Sequence, residues 1–257
     1  MSFHKSEVFA LGTSSEEEQK MADILNCRVG QLHFQYLGVP ISTKHLTVDD
    51  LREVNLKVQK RLPMWQGQIL SSGGKSILIQ SSLSSVPNYC MGMYKLQDDI
   101  HKKFDTDRAN FFWHGQGDKR KYHMVKWGEL ARLKEMGGLG FTETRTMNVC
   151  LLSKWIFRIE SDEDSLVMEM IRNKYLKGKG FFFSRASGGS QFWRGLHAIK
   201  KDFLQGACYK VGNGRKISLW NMPWNGETTL SVRFPNLFRI CRNPMQSVAE
   251  AVENNVL

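Results

Sequence analysis

The sequence lacks most of the features that announce a membrane protein, a metal protein or a self-contained enzyme. No apolar run approaches the ~20 residues of a membrane span. The five cysteines, Cys27, Cys90, Cys150, Cys208 and Cys241, are odd in number and scattered, and no two form a Cys-x-x-Cys knuckle. The seven histidines are equally dispersed, and His114 and His123 stand too far apart for one helical turn. A metal site is therefore not expected, and reduced thiols in an intracellular protein are. Residues 1–10 contain His4, Lys5 and Glu7 and do not read as a secretory signal, so the expected location is nucleus or cytoplasm. No internal repeat or low-complexity tract is present. With 257 residues, 41% hydrophobic and 24% charged, the chain has the composition of a folded protein.

Catalytic signatures are missing as well. Gly73-Gly74-Lys75-Ser76 has the ending of a phosphate-binding loop, but the position that needs the first glycine is Ile69, so it reads as a helix start. Gly137-Gly138-Leu139-Gly140 lacks dinucleotide-binding spacing and reads as a turn. No Gly-x-Ser-x-Gly elbow occurs. The acid pairs Asp49-Asp50, Asp98-Asp99 and Asp105/Asp107 lie in charged stretches that read as solvated helix faces, not as carboxylates held ~4 Å around paired metal ions.

What the sequence does have is a concentration of positive charge. Residues 171–216 hold eleven Lys and Arg against one acid, Asp202, a balance of +10 in a chain whose total is +11. The other 211 residues together contribute only +1. Tyr175, Phe181, Phe182, Phe183, Phe192, Trp193, Phe203 and Tyr209 are interleaved with these cations. Cations attract phosphate over long range and aromatic faces stack on bases, so a nucleic-acid contact is expected. The same rings can equally form a core, and the same cations a solvated face.

The coarse pattern is mainly α-helical with small β elements, an α+β class. Strands are expected over 3–11 and 34–40. Ser14 or Ser15 caps a helix whose first turn holds Glu16, Glu17 and Glu18, acids that suit the positive end of the helix dipole. Leu51, Val54, Val58, Leu62 and Trp65 recur at helical steps. Further helices are expected over 75–86, 98–113 (with Ile100, Phe104 and Phe111 inward), 147–159, 163–175 and 191–203. Tyr209-Lys-Val211 and Lys216-Ile-Ser-Leu-Trp220, flanking Gly212-Asn-Gly214, carry a β-hairpin signal.

Several short stretches, taken in order, resemble one family. They are Phe3-His-Lys-Ser-Glu-Val-Phe9, Tyr36-Leu-Gly-Val-Pro-Ile41, Ser71-Ser-Gly-Gly-Lys-Ser-Ile-Leu-Ile79, Val86-Pro-Asn-Tyr89 and Phe111-Phe-Trp-His-Gly115. Trp127, Gly137-Gly-Leu-Gly-Phe141, Asn148-Val-Cys-Leu-Leu-Ser-Lys-Trp155, Lys174-Tyr175, Val211-Gly-Asn-Gly214 and Trp220-Asn-Met-Pro-Trp224 complete the set. The ordered set resembles the post-catalytic part of plant LINE-type (non-LTR) retrotransposon reverse transcriptases, over essentially the whole chain.

The resemblance implies a C-terminal piece of an RNA-directed DNA polymerase. The missing N-terminal portion would hold the Asp-Asp pair and its Mg²⁺, so no cofactor is expected here and the piece would be inactive alone. Residues 1–43 would be a palm remnant with a primer-grip-like turn, and 44–135 a helical thumb. Residues 136–206 would be a basic helical connector, and 207–257 the start of a truncated zinc-binding-type module. Lys5 matches the family lysine near the leaving pyrophosphate, although Ser2 stands where the family has Asn. Tyr36, Leu37 and Gly38 match the primer grip. Lys57, Lys60, Lys75, Lys102 and Lys103 are available to thumb contacts. Lys174, Lys177, Lys179, Arg185, Lys200 and Lys201 are the expected cations of the basic stretch. Partners would be RNA, DNA or RNA–DNA hybrid, met through phosphate and sugar, with no membrane. A domesticated stand-alone nucleic-acid-binding protein and an α-helical protein-interaction scaffold are the alternatives.

Overall fold

The computed structural model describes residues 6–10, 12–30, 34–36, 39–42, 47, 50, 56, 70–113 and 125–253. Lys5, Leu37, Gly38, Lys57, Lys60 and the helix expected over 51–65 lie largely or wholly outside them. The protein is mainly helical with a few short strands, the class its sequence pattern implies. It divides into two compact units, 1–89 with 102–141, and 90–101 with 142–257.

In the first unit, β1 (Glu7–Val8) pairs in parallel with β2 (Arg28–Val29) across the intervening helix α1 (Ser15–Leu25). Ser14 caps α1. Its hydroxyl accepts the Glu17 amide, and the Glu17 carboxylate accepts the Ser14 amide, so two amides at the helix start are satisfied reciprocally. Asn26, in the left-handed region at φ 48°, ends the helix. The strand expected over 34–40 is instead a pair, β3 (Phe34–Tyr36) against β4 (Val39–Ile41), with Tyr36 opposite Val39.

The glycine-lysine-serine stretch is the first turn of α2 (Ser72–Leu78), where the Ser71 hydroxyl accepts the Gly74 amide. A π turn follows over Ile79–Leu83. Helix α3 runs from Asp98 to Trp113 with Ile100, Phe104 and Phe111 buried, as its periodicity implies. Asp105 is not on a solvated face, because it pairs with the buried guanidinium of Arg108, which also donates to the Ser84 hydroxyl. Burial raises the pKa of its neighbour Asp107. Some of the aromatics that carried the family resemblance collect here. Trp127 and Phe141 stack at 5.0 Å, and Phe112 meets both edge-on. The turn beneath them needs its glycines. Gly137 and Gly140 have φ of 81° and 69°, and a Cβ at Gly138 would sit 2.1 Å from the Arg132 carbonyl oxygen.

The second unit is built on α4 (Thr144–Glu160). Leu152, Ile156 and Ile159 from α4 form one core with Met168 and Ile171 of α5 (Leu166–Ile171), Phe181, and Trp193 and Leu196 of α6 (Gln191–Ala198). The helix expected over 191–203 is broken at Ile199, after which α7 runs from Lys200 to Gly206. Asn148, fully buried, accepts the Leu96 amide at 2.9 Å and donates to the carbonyls of Met91 and Tyr94 at 2.7 and 2.8 Å. It thereby satisfies three backbone groups of the 91–96 segment.

The expected hairpin at Gly212-Asn-Gly214 does not form. The backbone from Ile217 to Leu219 pairs instead with 246–248, through an antiparallel bridge at Ser218 and Ser247. Gly214, at φ 71°, receives the Ala249 amide on its carbonyl, and a Cβ there would come within 2.9 Å of that amide nitrogen. Burial of Ile217, Leu219, Met222, Val248 and Ala251 in a second core outweighs the local turn preference.

Candidate nucleic-acid interface

Local chemistry places the central loop of the basic stretch. Residues 177–180 leave the π turn Arg172–Leu176 through Lys177 and Gly178, both at positive φ, and a 3₁₀ turn follows over Phe181–Phe183. Three side chains hold this loop from inside. The Glu160 carboxylate accepts the Phe181 amide at 3.1 Å. The Trp193 indole donates to the Arg185 carbonyl at 3.0 Å. The Lys200 ammonium donates to the carbonyls of Ser184 and Phe182 at 3.4 and 3.5 Å.

The outer surface of this loop is one wall of a groove of about 1170 Å³. Six cations line it: Arg172, Lys177, Lys179, Arg185, Arg215 and Lys216. Three carboxylates, Glu160, Asp162 and Glu250, lie on the same walls, so the balance remains positive. Lys216 pairs with Asp162, and Arg172 donates to the Glu163 carbonyl. Lys177, Lys179, Arg185 and Arg215 are exposed and make no ion pair among the described residues. Exposed cations in a concave surface focus positive potential and draw polyanions toward it.

The residues singled out in the sequence are thus sorted by the fold. Lys177, Lys179 and Arg185 are brought together. Arg172, Arg215 and Lys216 join them, although only their membership of the same basic run pointed to them. Lys174 lies off the groove with its ammonium 5.3 Å from the Tyr175 ring, and Lys201 is exposed on α7, also off the groove. Lys200 is half-buried, and its ammonium lies 4.7 Å from the Phe181 ring centroid. In the first unit, Lys75 donates to the Phe112 carbonyl at 3.3 Å, Lys102 is exposed, Lys103 is half-buried and Tyr36 is exposed on β3. Most rings of the basic stretch are core. Tyr175 lies parallel to Trp193 at 4.4 Å, Phe181 meets Trp193 edge-on, and Phe182 packs near Phe203 and Tyr209.

Beneath the groove, Ser184 and His197 are 3.3 Å apart, a spacing reminiscent of a nucleophile and its base. The Ser184 hydroxyl, however, donates to the Phe181 carbonyl at 2.6 Å. Burial, then the charge of Lys200, lowers the His197 pKa to about 4, far below that of a base poised near neutrality. Burial also lowers Lys200 to about 8 against the pull of Glu160, and raises the Glu160 carboxyl against the Phe181 amide and nearby lysines. The arrangement is a support for the loop. Among the described residues no group of three or more His, Cys, Asp or Glu gathers as metal ligands do. No helix among the described residues is long and apolar enough to cross a membrane.

No family model matches the chain. It is 28% identical over 191 residues to an Arabidopsis thaliana protein that carries the provisional name of a ribonuclease H protein. That match covers 72% of this chain and 31% of the relative, so the chain corresponds to under a third of the longer protein. It is also 28% identical over 142 residues to an uncharacterised mitochondrial protein of Arabidopsis thaliana, covering 54% of this chain and 92% of that protein. The chain is similar to plant proteins, one of them named for chemistry on RNA.

Proposed function

We propose that this chain is the nucleic-acid-gripping, post-palm part of a plant retroelement reverse transcriptase, of the LINE type, and that it holds RNA, DNA or their hybrid by the phosphate backbone. The observation that carries the proposal is the convergence of Arg172, Lys177, Lys179, Arg185, Arg215 and Lys216 on one groove. Backbone contacts by lysine and arginine carry no sequence information, which suits a protein that must accept any template. The ribonuclease H name borne by one relative concerns the same class of polymer. Most rings of the basic stretch pack into the cores, so the grip is electrostatic first.

The test is binding of a mixed-sequence RNA–DNA hybrid across a salt series. Log affinity should fall linearly with log salt, with a slope of roughly 0.7 to 0.9 per phosphate neutralised. Combined replacement of Lys177, Lys179 and Arg185 by Gln should lower both affinity and slope. Affinity indifferent to salt, or unchanged in that variant, would sink the proposal. An α-helical scaffold, the competing account, would show such indifference.

A further inference from the structure

Behind the groove lies a second cavity, of about 750 Å³, within the size range of small-ligand sites. Its character differs from that of the groove. Phe157, Phe203 and Tyr209 contribute three aromatic side chains to its walls, with Val149 and Ile217 among the aliphatic ones. Phe157, on the face of α4 turned away from its buried residues, is 64% exposed and leaves a large ring in water. The two cavities are not independent, because Glu160, Asn213 and Lys216 line both. A cationic trough and an aromatic pocket therefore meet at a polar junction.

We infer that the pocket receives an unstacked nucleobase from a single strand whose phosphates lie in the groove, an inference that rests on the backbone-grip proposal above. A nucleic-acid strand carries both required chemistries at adjacent positions, anionic phosphates and flat π faces. A polyanion without rings would leave the pocket unfilled, and an aromatic molecule without phosphates would leave the six cations of the groove unpaired. Glu160 and Asn213 at the junction bring a carboxyl and an amide within reach of the polar edge of an entering base. Burial raises the Glu160 carboxyl, so that it gains a protonated, hydrogen-donating form at higher pH than an exposed glutamate does. Glycines leave space on the rim. Gly206 and Gly212 line the pocket, and a Cβ built at either meets nothing within 4 Å.

The experiment compares a twelve-residue deoxythymidine strand with an abasic strand of the same length and charge, by fluorescence anisotropy at fixed salt. The base-bearing strand is expected to bind more tightly by roughly 5- to 160-fold, the range of base–aromatic stacking. Phe157→Ala and, separately, Gly212→Leu, which fills open space at the rim, should erase that preference and leave abasic binding as it was. Cys208 lies exposed on the pocket wall and supplies a second readout. Its alkylation by N-ethylmaleimide, located by mass spectrometry, should be slowed by the thymidine strand and not by the abasic one. Equal, salt-sensitive binding of both strands would overturn the nucleobase pocket and leave the groove intact. Failure of both strands to bind would overturn the pocket and the groove together.

Discussion

Lys200 holds its ammonium 4.7 Å from the centre of the Phe181 ring while donating to the Ser184 carbonyl at 3.4 Å. One lysine of the basic stretch is thereby turned inward to brace the loop, and the outward lysines and arginines on that loop face the groove. Within a run of like charges the fold has given one member a structural task and others an external one.

Burial lowers Lys200 from 10.5 to about 8. Between those values the unfolded chain keeps a proton that the folded chain has released, so this residue makes stability rise with pH across about pH 8 to 10.5. Lys200→Met keeps most of the stem and removes the titration. Urea melts at pH 7.5 and 9.5 should show a gain for the wild type relative to the variant.

His197 acts on the acid side. Its pKa is lowered from 6.5 to about 4, so below pH 6.5 the unfolded chain takes up a proton that the folded chain refuses. Stability should decline from pH 6.5 toward 4, and His197→Gln should flatten that decline. The raised carboxyl of Glu160 works in the opposite sense, so the difference between wild type and variant is the quantity to measure.

Asn148 satisfies three backbone groups of the 91–96 segment. Asn148→Leu would leave them buried without partners, with an expected loss of roughly 3 kcal/mol in urea denaturation. Asn148→Asp, which keeps the acceptor toward Leu96 and loses both donors, should also destabilise.

Gly138→Ala would drive a methyl into the Arg132 carbonyl, and the expected cost is about 1–3 kcal/mol. Gly128→Ala, where a Cβ meets nothing within 4 Å in the helical turn Trp127–Leu130, should stabilise by roughly 0.5–1 kcal/mol. Opposite signs in thermal melts of these two variants distinguish close approach from mere glycine content.

The groove predicts a ranking of cations. Neutralising Lys177, Lys179 or Arg185 should each reduce the salt slope of nucleic-acid binding by about one. Neutralising Lys174 or Lys201, which lie off the groove, should change it by much less.

Much of the local structure was legible because its causes are local. The Asp98–Trp113 helix follows from Ile100, Phe104 and Phe111 at steps of four and seven, and the start of the Ser15–Leu25 helix from Ser14 or Ser15 ahead of an acidic first turn. The turn at Gly137 follows from glycine's tolerance of positive φ. What failed did so for tertiary reasons. Gly212-Asn-Gly214 offers a hairpin turn, yet 217–219 finds its partner at 246–248 because a shared core lies there. The break at Ile199 was hidden in a continuous pattern, although that residue is fully buried. Tyr175 and Trp193 are equally aromatic as letters for base stacking or for a core, and only packing chose the core.

By itself, the sequence determined that this protein is mainly helical and that its charge is concentrated in residues 171–216. Charge and periodicity are additive properties of residues and survive without a fold. The tertiary structure decided which cations share a surface. Arg172 and Arg215 stand 43 positions apart in the chain yet line the same groove, because the two cores of the second unit bring their loops together. Convergence of that kind depends on long-range packing, which no local pattern encodes.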